Sequence, residues 1–414
     1  PISYLKKLSR RKSNTKFLID CLFASLVFSL FVYLEYFGIE NRAIVSLASF
    51  YAFYRILTYQ KKELFAFGFF TGILWFYWIG LSFRFVDMAY AVPFVILGVA
   101  LIIALMFFIL GFVKYFYLRA LVLVFYFDFV QPFGFEWLKP ELLLQSSFFN
   151  SDKISYFLFL LSVVIFIFFQ KNNYKFLFFI PLIFAFNLSP SQQAAEDENI
   201  ALVSTEYNQD FKWRKDNRKE ITNDVLMHIE RAIQDGKKLV ILPETALPYF
   251  LNKQTNLVGV LLEKSNKIDI ILGSLYTDGS KQFNSTYFFS KSKMQVAHKS
   301  VLVPFGESTN FLPESIGRFI NKIFFDGADD YTKGAKPTDF NIDGVLYRNA
   351  ICYEATVEKM FIDAPKKMIA ITNNAWYHPS IEPALQRLVI RFFARKYGVT
   401  VYHSVNKSKG GIIS

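Results

Sequence analysis

The chain has 414 residues, 53% of them hydrophobic, including 50 phenylalanines, with four histidines and two cysteines. That composition excludes an ordinary soluble protein and points to a membrane protein, and two cysteines exclude a disulfide framework. The formal net charge of +12 does not imply nucleic acid, because the basic residues sit in loops between apolar runs.

A basic cluster of Lys6, Lys7, Arg10, Arg11 and Lys12 precedes the first apolar run. That run lacks a small-residue cleavage site and is long enough to span, so no cleavable signal peptide is expected. Spans are expected at roughly 17–37, 43–59, 64–84, 89–112, 119–135, 154–170 and 174–190, seven in all. Lys61 and Lys62 fall between the second and third, Lys114 and Arg119 between the fourth and fifth, and Lys171 and Lys175 between the sixth and seventh. Every other loop is basic, as cytoplasmic loops are. An odd count with the N-terminus inside puts the polar half of the chain outside the cytoplasm. The segment NLSPSQQAAEDEN, residues 187–199, marks the boundary between a bundle at 1–190 and a polar domain at 191–414.

In the polar half, apolar β-rich runs alternate with amphipathic patterns. IALVS reads as a strand, and DVLMHIERAIQDG as a helix with Val225, Ile229 and Ile233 on one face, closed by Gly236. KLVILPE is a buried strand ending at an acid. VGVLLEKSN reads as a helix, and IDIILGSLY, NSTYFFS and MQVAHKSVLVPFGE read as strands. DGVLYRNAICYE runs through strands to a cysteine. KMIAITNNAWY is a strand ending in a polar turn, followed by the helix ALQRLVIRFFARKYG and the strand VTVYHSV. This alternation predicts a sheet covered by helices, with functional residues at strand ends.

Three such ends carry complementary chemistry: Glu244 in LVILPETALPYF, Lys299 in AHKSVLVPFGE and Cys352 in NAICYEA. A thiol attacks only as a thiolate. A neighbouring carboxylate takes its proton, and a fixed ammonium stabilises both the thiolate and the oxyanion formed on attack. Taken singly, each has a plainer reading as a helix cap, a solvated lysine and a small buried hydrophobe. His228, His298, His378 and His403 are scattered and form no Cys-His signature; neither a metal site nor a cofactor is expected. Cys21 and Cys352 are both expected to be unpaired.

PET, KSVLVPFGE and CYE resemble the Glu-Lys-Cys triad of the nitrilase superfamily. With seven apolar runs in front, the sequence resembles its membrane-embedded branch, the apolipoprotein N-acyltransferases. The resemblance implies an α+β membrane protein, a transmembrane helix bundle followed by a nitrilase-like αββα sandwich. It implies Glu244 as general base, Lys299 as oxyanion stabiliser and Cys352 as the acylated nucleophile. Glu307 matches a second essential acid, and Tyr353 and Glu354 match the pair after the cysteine, with the Tyr353 N–H completing an oxyanion hole. Trp213 in YNQDFKW matches a tryptophan over the site. Asn373, Asn374 and Trp376 in ITNNAWY match residues near the acyl pocket, and Asn284 in QFNSTYFF matches an asparagine of the family.

The implied reaction is N-acylation of a lipoprotein's diacylglyceryl-cysteine from a phospholipid, in two acyl transfers through a cysteine thioester. The implied partners are a phospholipid donor, a diacylated apolipoprotein acceptor and membrane lipid, with no nucleic acid and a monomeric chain. The implied location is the bacterial inner membrane, catalytic domain on the periplasmic side. A membrane-tethered amidase acting on a small amide is the alternative enzyme, and a binding scaffold the alternative outside enzymes. Many members carry a further span after the catalytic domain. The ends here, PIS and KSKGGIIS, imply either a lineage without that span or a trimmed chain.

Overall fold

The structure, a computed structural model, describes residues 2–85, 87–188, 197–304, 306–307 and 331–414, with side chains from residue 15 onward. The side chains of the basic cluster Lys6–Lys12, most of the expected linker at 187–199, and Phe305 in VPFGE lie outside the described residues. The chain divides into two compact units, one of residues 1–83, 89–190 and 379–388, the other of residues 84–88, 191–378 and 389–414.

The first unit is helical: α1 (Ile2–Tyr36), α2 (Arg42–Thr58), α3 (Lys61–Phe76), α4 (Val92–Leu110), α5 (Phe116–Phe129), α6 (Leu142–Gln145), α7 (Lys153–Phe169) and α8 (Phe179–Ala185). Asn41 starts α2 by accepting from the Ile44 N–H, and Asp152 starts α7 by accepting from Ile154 and Ser155. Gly68 and Gly72 let α3 and α4 touch: a Cβ on either would stand 2.9 or 2.7 Å from the backbone of Ala104 or Ala100. Inside, Phe28 stacks on Trp75 at 5.1 Å and meets Phe53, Phe67 and Phe107 edge-on. Arg119 is buried and donates to the carbonyls of Ile56, Leu57, Tyr59 and Val113, so its charge is met by dipoles. Leu47, Phe94, Phe129 and Ile183 are exposed, an apolar exterior suited to lipid rather than water.

Among the described residues, three stretches are long and apolar enough to cross a membrane: Thr15–Tyr36, Lys61–Phe85 and Ala89–Leu110. The other expected spans fall on shorter helices, α2 and α7 with 17 residues each, α5 with 14, and the apolar stretch Asn173–Ala185. At about 1.5 Å per residue, a 17-residue helix covers about 25 Å, against about 30 Å of bilayer core.

The second unit holds two sheets. The first runs β1 (Ile200–Leu202), β2 (Leu239–Ile241), β4 (Asp269–Thr277), β5 (Gln282–Ser290), β6 (Lys293–His298), with β3 (Leu247–Phe250) also paired to β4. The second runs β11 (Gly411–Ile413), β10 (Thr400–Asn406), β9 (Lys367–Asn373), β8 (Val345–Ile351), β7 (Asp339–Ile342). Strands β1, β2 and β4 are parallel, as are β8, β9 and β10, so both sheets need helical crossovers. These include α10 (Arg218–Gln234), α11 (Thr255–Lys264) and α12 (Glu382–Tyr397); the short α9 (Gln209–Trp213) precedes α10.

The two-residue period of the strands splits their side chains between two cores. Ile241, Ile271 and Phe288 meet Ile351, Ile369 and Tyr402 of the second sheet. On the other face, Val240, Leu242, Ile270 and Leu272 pack with Val225, Ile229 and Leu261 from α10 and α11. The outer layer of the second sheet includes α12, whose Phe393 ring lies 5.4 Å from Phe361. The domain is therefore an αββα sandwich, as expected. Parallel strands bring the segments after β2, β8, β9 and β10 toward one edge, where Asn373 and Asn406 face each other in register.

Three details differ from the sequence expectation. The strand seen in MQVAHKSVLVPFGE stops at His298, so Lys299 already lies beyond it. KLVILPE is in strand only as far as Ile241, which leaves Glu244 in a turn. The short strands β3, β7 and β11 carry no strong periodic signal and were not anticipated.

Candidate active site

Glu244 is 6% exposed, which removes its reading as a surface cap. Its Oε1 accepts from Asn284 Nδ2 at 2.7 Å and its Oε2 from the Asn373 N–H at 2.8 Å. The turn that carries it is tight. Thr245 sits at φ +46°, and Gly273 of β4 runs beneath, where a Cβ would lie 2.5 Å from Thr245 N and 2.6 Å from Glu244 Cα. Only glycine leaves room for the turn.

Lys299 is 1% exposed. Its Nζ donates to Glu307 Oε1 at 2.8 Å and stands 3.9 Å from Glu244 Oε1. Its backbone N–H donates to the Asn284 carbonyl at 2.9 Å, fixing the residue where it leaves β6. Burial pulls the ammonium down, but the charges of Glu307, Glu244 and Cys352 outweigh it and hold the lysine well above its usual range. Glu307 is in turn fixed by the Val303 N–H at 2.9 Å, and Asn284 Nδ2 reaches it at 3.2 Å. Asn284 thus bridges both acids.

Cys352 follows β8 directly at φ +54°, a left-handed conformation that non-glycine residues avoid. A 3₁₀ turn, Cys352–Thr356, begins there, so the thiol stands at a sharp strand-to-helix corner. Neither cysteine is in a disulfide. Glu354, 1% exposed, braces the corner. Its Oε1 accepts from the Ser300 N–H and hydroxyl, both at 2.7 Å, and from the Val301 N–H at 3.0 Å; its Oε2 accepts from the Ile351 N–H at 2.8 Å. Burial raises the Glu354 carboxyl although these bonds oppose it. Glu354 thereby ties the cysteine corner to the segment that follows Lys299. Tyr353 is buried in the same turn.

The remaining predicted residues form the surroundings. Asn373 Nδ2 donates to Gln209 Oε1 at 3.0 Å, and its Oδ1 accepts from Asn406 Nδ2 at 2.7 Å. Asn374 is buried and donates to the Ser408 hydroxyl at 3.0 Å. Trp376 is half-buried and meets Phe85 edge-on at 5.8 Å. Trp213 ends α9, half-buried, its indole N–H without a partner among the described residues. The structure thus brings Glu244, Lys299, Glu307, Asn284 and Asn373 into one hydrogen-bonded cluster, and Glu354 links the Cys352 corner to Ser300, the residue after Lys299.

Residues 15–188 match the family model of the apolipoprotein N-acyltransferase integral membrane domain. The apolipoprotein N-acyltransferase of Wolinella succinogenes is 40% identical over 95% of this chain and 95% of its own length. The chain belongs to the apolipoprotein N-acyltransferase family. The relative of that name in Helicobacter pylori is 36% identical over 97% of this chain and 96% of its own. Among solved structures, the CN-hydrolase superfamily protein XC1258 of Xanthomonas campestris covers 50% of this chain and 75% of its own, at 15% identity and a TM-score of 0.37.

Sequence reading passed over three residues. Gln209 and Asn406 complete the polar chain behind Asn373, and Lys212 reaches the Glu244 carbonyl at 2.9 Å. Burial draws the Lys212 ammonium down to about 7, against the opposing charges of Glu244 and Cys352. The signal was its place next to Trp213 in YNQDFKW, a segment whose polarity otherwise reads as solvated. Among the described residues, no cluster of three or more His, Cys, Asp and Glu side chains could hold a metal ion.

Proposed function

We propose that this chain N-acylates the diacylglyceryl-cysteine at the N-terminus of apolipoproteins, taking the acyl group from a phospholipid through a thioester on Cys352. The observation that carries the reading is the thiol at a left-handed corner, tied by Glu354 to the residue after Lys299, whose Nζ stands 3.9 Å from Glu244.

Glu244 takes the proton of Cys352, and the thiolate attacks the carbonyl carbon of the phospholipid ester. The Lys299 ammonium and the Tyr353 N–H meet the oxyanion. Collapse breaks the ester C–O bond, Glu244 returns the proton to the departing lysophospholipid oxygen, and the thioester remains. In the second transfer the neutral α-amine of the acceptor attacks the thioester. Glu244 removes a proton from the nitrogen as the amide forms, and that proton goes to the departing sulfur. Glu307 holds Lys299 aimed throughout, and the half-buried Trp213 and Trp376 offer apolar cover that keeps water from hydrolysing the thioester.

Residues 1–190 serve as a bundle of about seven spans, bringing acyl chains laterally from the bilayer. Residues 191–414 work on the periplasmic side of the bacterial inner membrane, as a monomer and without nucleic acid, metal or cofactor. The loop charges support this orientation: basic pairs such as Lys61 and Lys62 recur at every other loop.

The test is to incubate purified protein with a phospholipid and a synthetic diacylated lipopeptide. The N-acylated peptide and the lysophospholipid should appear together. A reduced, folded protein that yields neither would overturn the reading.

A further inference from the structure

Lys212 is 1% exposed, and its Nζ donates to the Glu244 carbonyl at 2.9 Å, its one hydrogen bond among the described residues. An ammonium has three donors, so two remain available to other atoms of the site. A lysine whose role is only to cover apolar surface keeps its head in water; this one does not. Taking an ammonium out of water is costly unless opposite charge compensates it. The compensating charges here come from Glu244 and Cys352.

The bond to the carbonyl has its own consequence. Glu244 precedes a residue at φ +46° in a turn pressed against Gly273, so the turn needs external support to stay in place. Lys212 grips that turn at the residue whose carboxylate works. Electrostatic coupling is also reciprocal: an anion at Cys352 that favours the charged lysine is itself favoured by that lysine, to the same extent.

We propose that Lys212 is a positioning residue for acyl transfer, its ammonium clamping the Glu244 turn and, together with Lys299, stabilising the thiolate that forms when Glu244 takes the proton of Cys352. The proposal rests on reading Cys352 as the acylated nucleophile. No bond to Lys212 forms or breaks, and the proton balance of both transfers is unchanged. The charges acting on Lys212 are Glu244, in the turn after β2, and Cys352, after β8. Among the described residues, Lys299, Glu307, Tyr331, Tyr353 and Glu354 are further titratable groups around that pair.

The experiment follows alkylation of Cys352 by iodoacetamide against pH, without substrate, reading the modified peptide by mass so that Cys21 does not interfere. Only the thiolate reacts. In the wild type the midpoint should lie below about 8.5, the value of a free cysteine. Lys212→Gln keeps a donor for the Glu244 carbonyl but loses the charge; Lys212→Met loses both. Each should move the midpoint up by about one pH unit, slowing alkylation about tenfold at pH values well below the wild-type midpoint while leaving the high-pH rate unchanged. Thermal melting of both variants checks that they fold.

If Lys212→Gln matches the wild type and only Lys212→Met is impaired, the lysine is a neutral clamp and the proposal fails. An unmoved midpoint in both variants, or a wild-type midpoint at or above that of a free thiol, also overturns it. Because alkylation needs neither lipid nor lipopeptide, it separates this result from a failure of the proposed function, which the acyl-transfer assay reads.

Discussion

Gly273→Ala tests whether the turn that carries Glu244 sets the activity. The added Cβ would meet Thr245 N at 2.5 Å, Glu244 Cα at 2.6 Å and the Pro243 carbonyl oxygen at 2.8 Å. All three are backbone atoms, so no side chain can swing away. Opening the closest contact to the 3.4 Å of ordinary van der Waals contact moves the turn by about 0.9 Å. The Gly273 N–H bond to the Pro243 carbonyl, 3.1 Å long, must stretch or break as well. Such overpacking costs about 1–3 kcal/mol of stability, and a misplacement of about 1 Å at a reacting group costs about 100-fold in rate. The assay is the rate of acyl-enzyme formation, read as added mass after mixing with phospholipid, beside the melting temperature. Gly259→Ala is the control, since Gly259 lies in α11 with nothing within 4 Å of its Cβ position. A folded Gly273→Ala protein that acylates within about threefold of wild type would refute the reasoning, because Glu244 would then tolerate displacement that a general base does not.

Cys352→Ala should fold and insert yet gain no acyl mass; an acyl adduct on that variant would show that another residue carries the chain. Glu244→Gln should slow thioester formation by about 10²–10⁴, the usual worth of a general base, and an unchanged rate would assign the proton to another group. Glu354→Gln turns an N–H₂ toward donors that Glu354 now satisfies, among them Ser300 and Ile351, so it should lower stability by about 1–3 kcal/mol. An unchanged melting temperature would show the brace to be dispensable. Lys299, held above its usual range by Glu307 and Glu244 against burial, contributes stability that is complete below about pH 10.5 and declines as pH rises through its folded value. The stability gap between wild type and Lys299→Met should therefore be constant from pH 7 to about 10 and narrow above, and a gap that closes near neutral pH would contradict the assignment.

The layered architecture was legible in sequence because apolar runs such as LVIL and IDIILG are long, β-rich and interrupted by amphipathic patterns. The reactive types were legible because an acid, an ammonium and a thiol each end such a run. Their environment was not. Whether Glu244 is a surface cap or a buried base depends on Asn284 and Asn373, 40 and 129 residues away in sequence, closing over it. Lys212 is hidden for the same reason: its neighbours Asp210, Arg214 and Lys215 make the segment look solvated, and only the fold reveals that its ammonium lies inside. The end of β6 was placed too late because VLVP keeps a strand-like composition after the chain has turned away at Lys299. Asn406 directly follows the strand run VTVYHSV, and its role depends on its register opposite Asn373.

The proposed catalytic cluster draws its members from both halves of the sandwich. Glu244, Asn284 and Lys299 belong to the first sheet and its turns, Cys352 and Asn373 to the second. A growing chain completes the first group more than fifty residues before it reaches the sulfur. Until the later strands dock, the carboxylate and the ammonium have no thiol to act on, and afterwards the cysteine has nowhere to be but beside them. With Cys352 as the proposed nucleophile, reactivity is a late product of folding, and a half-assembled chain carries no armed thiol.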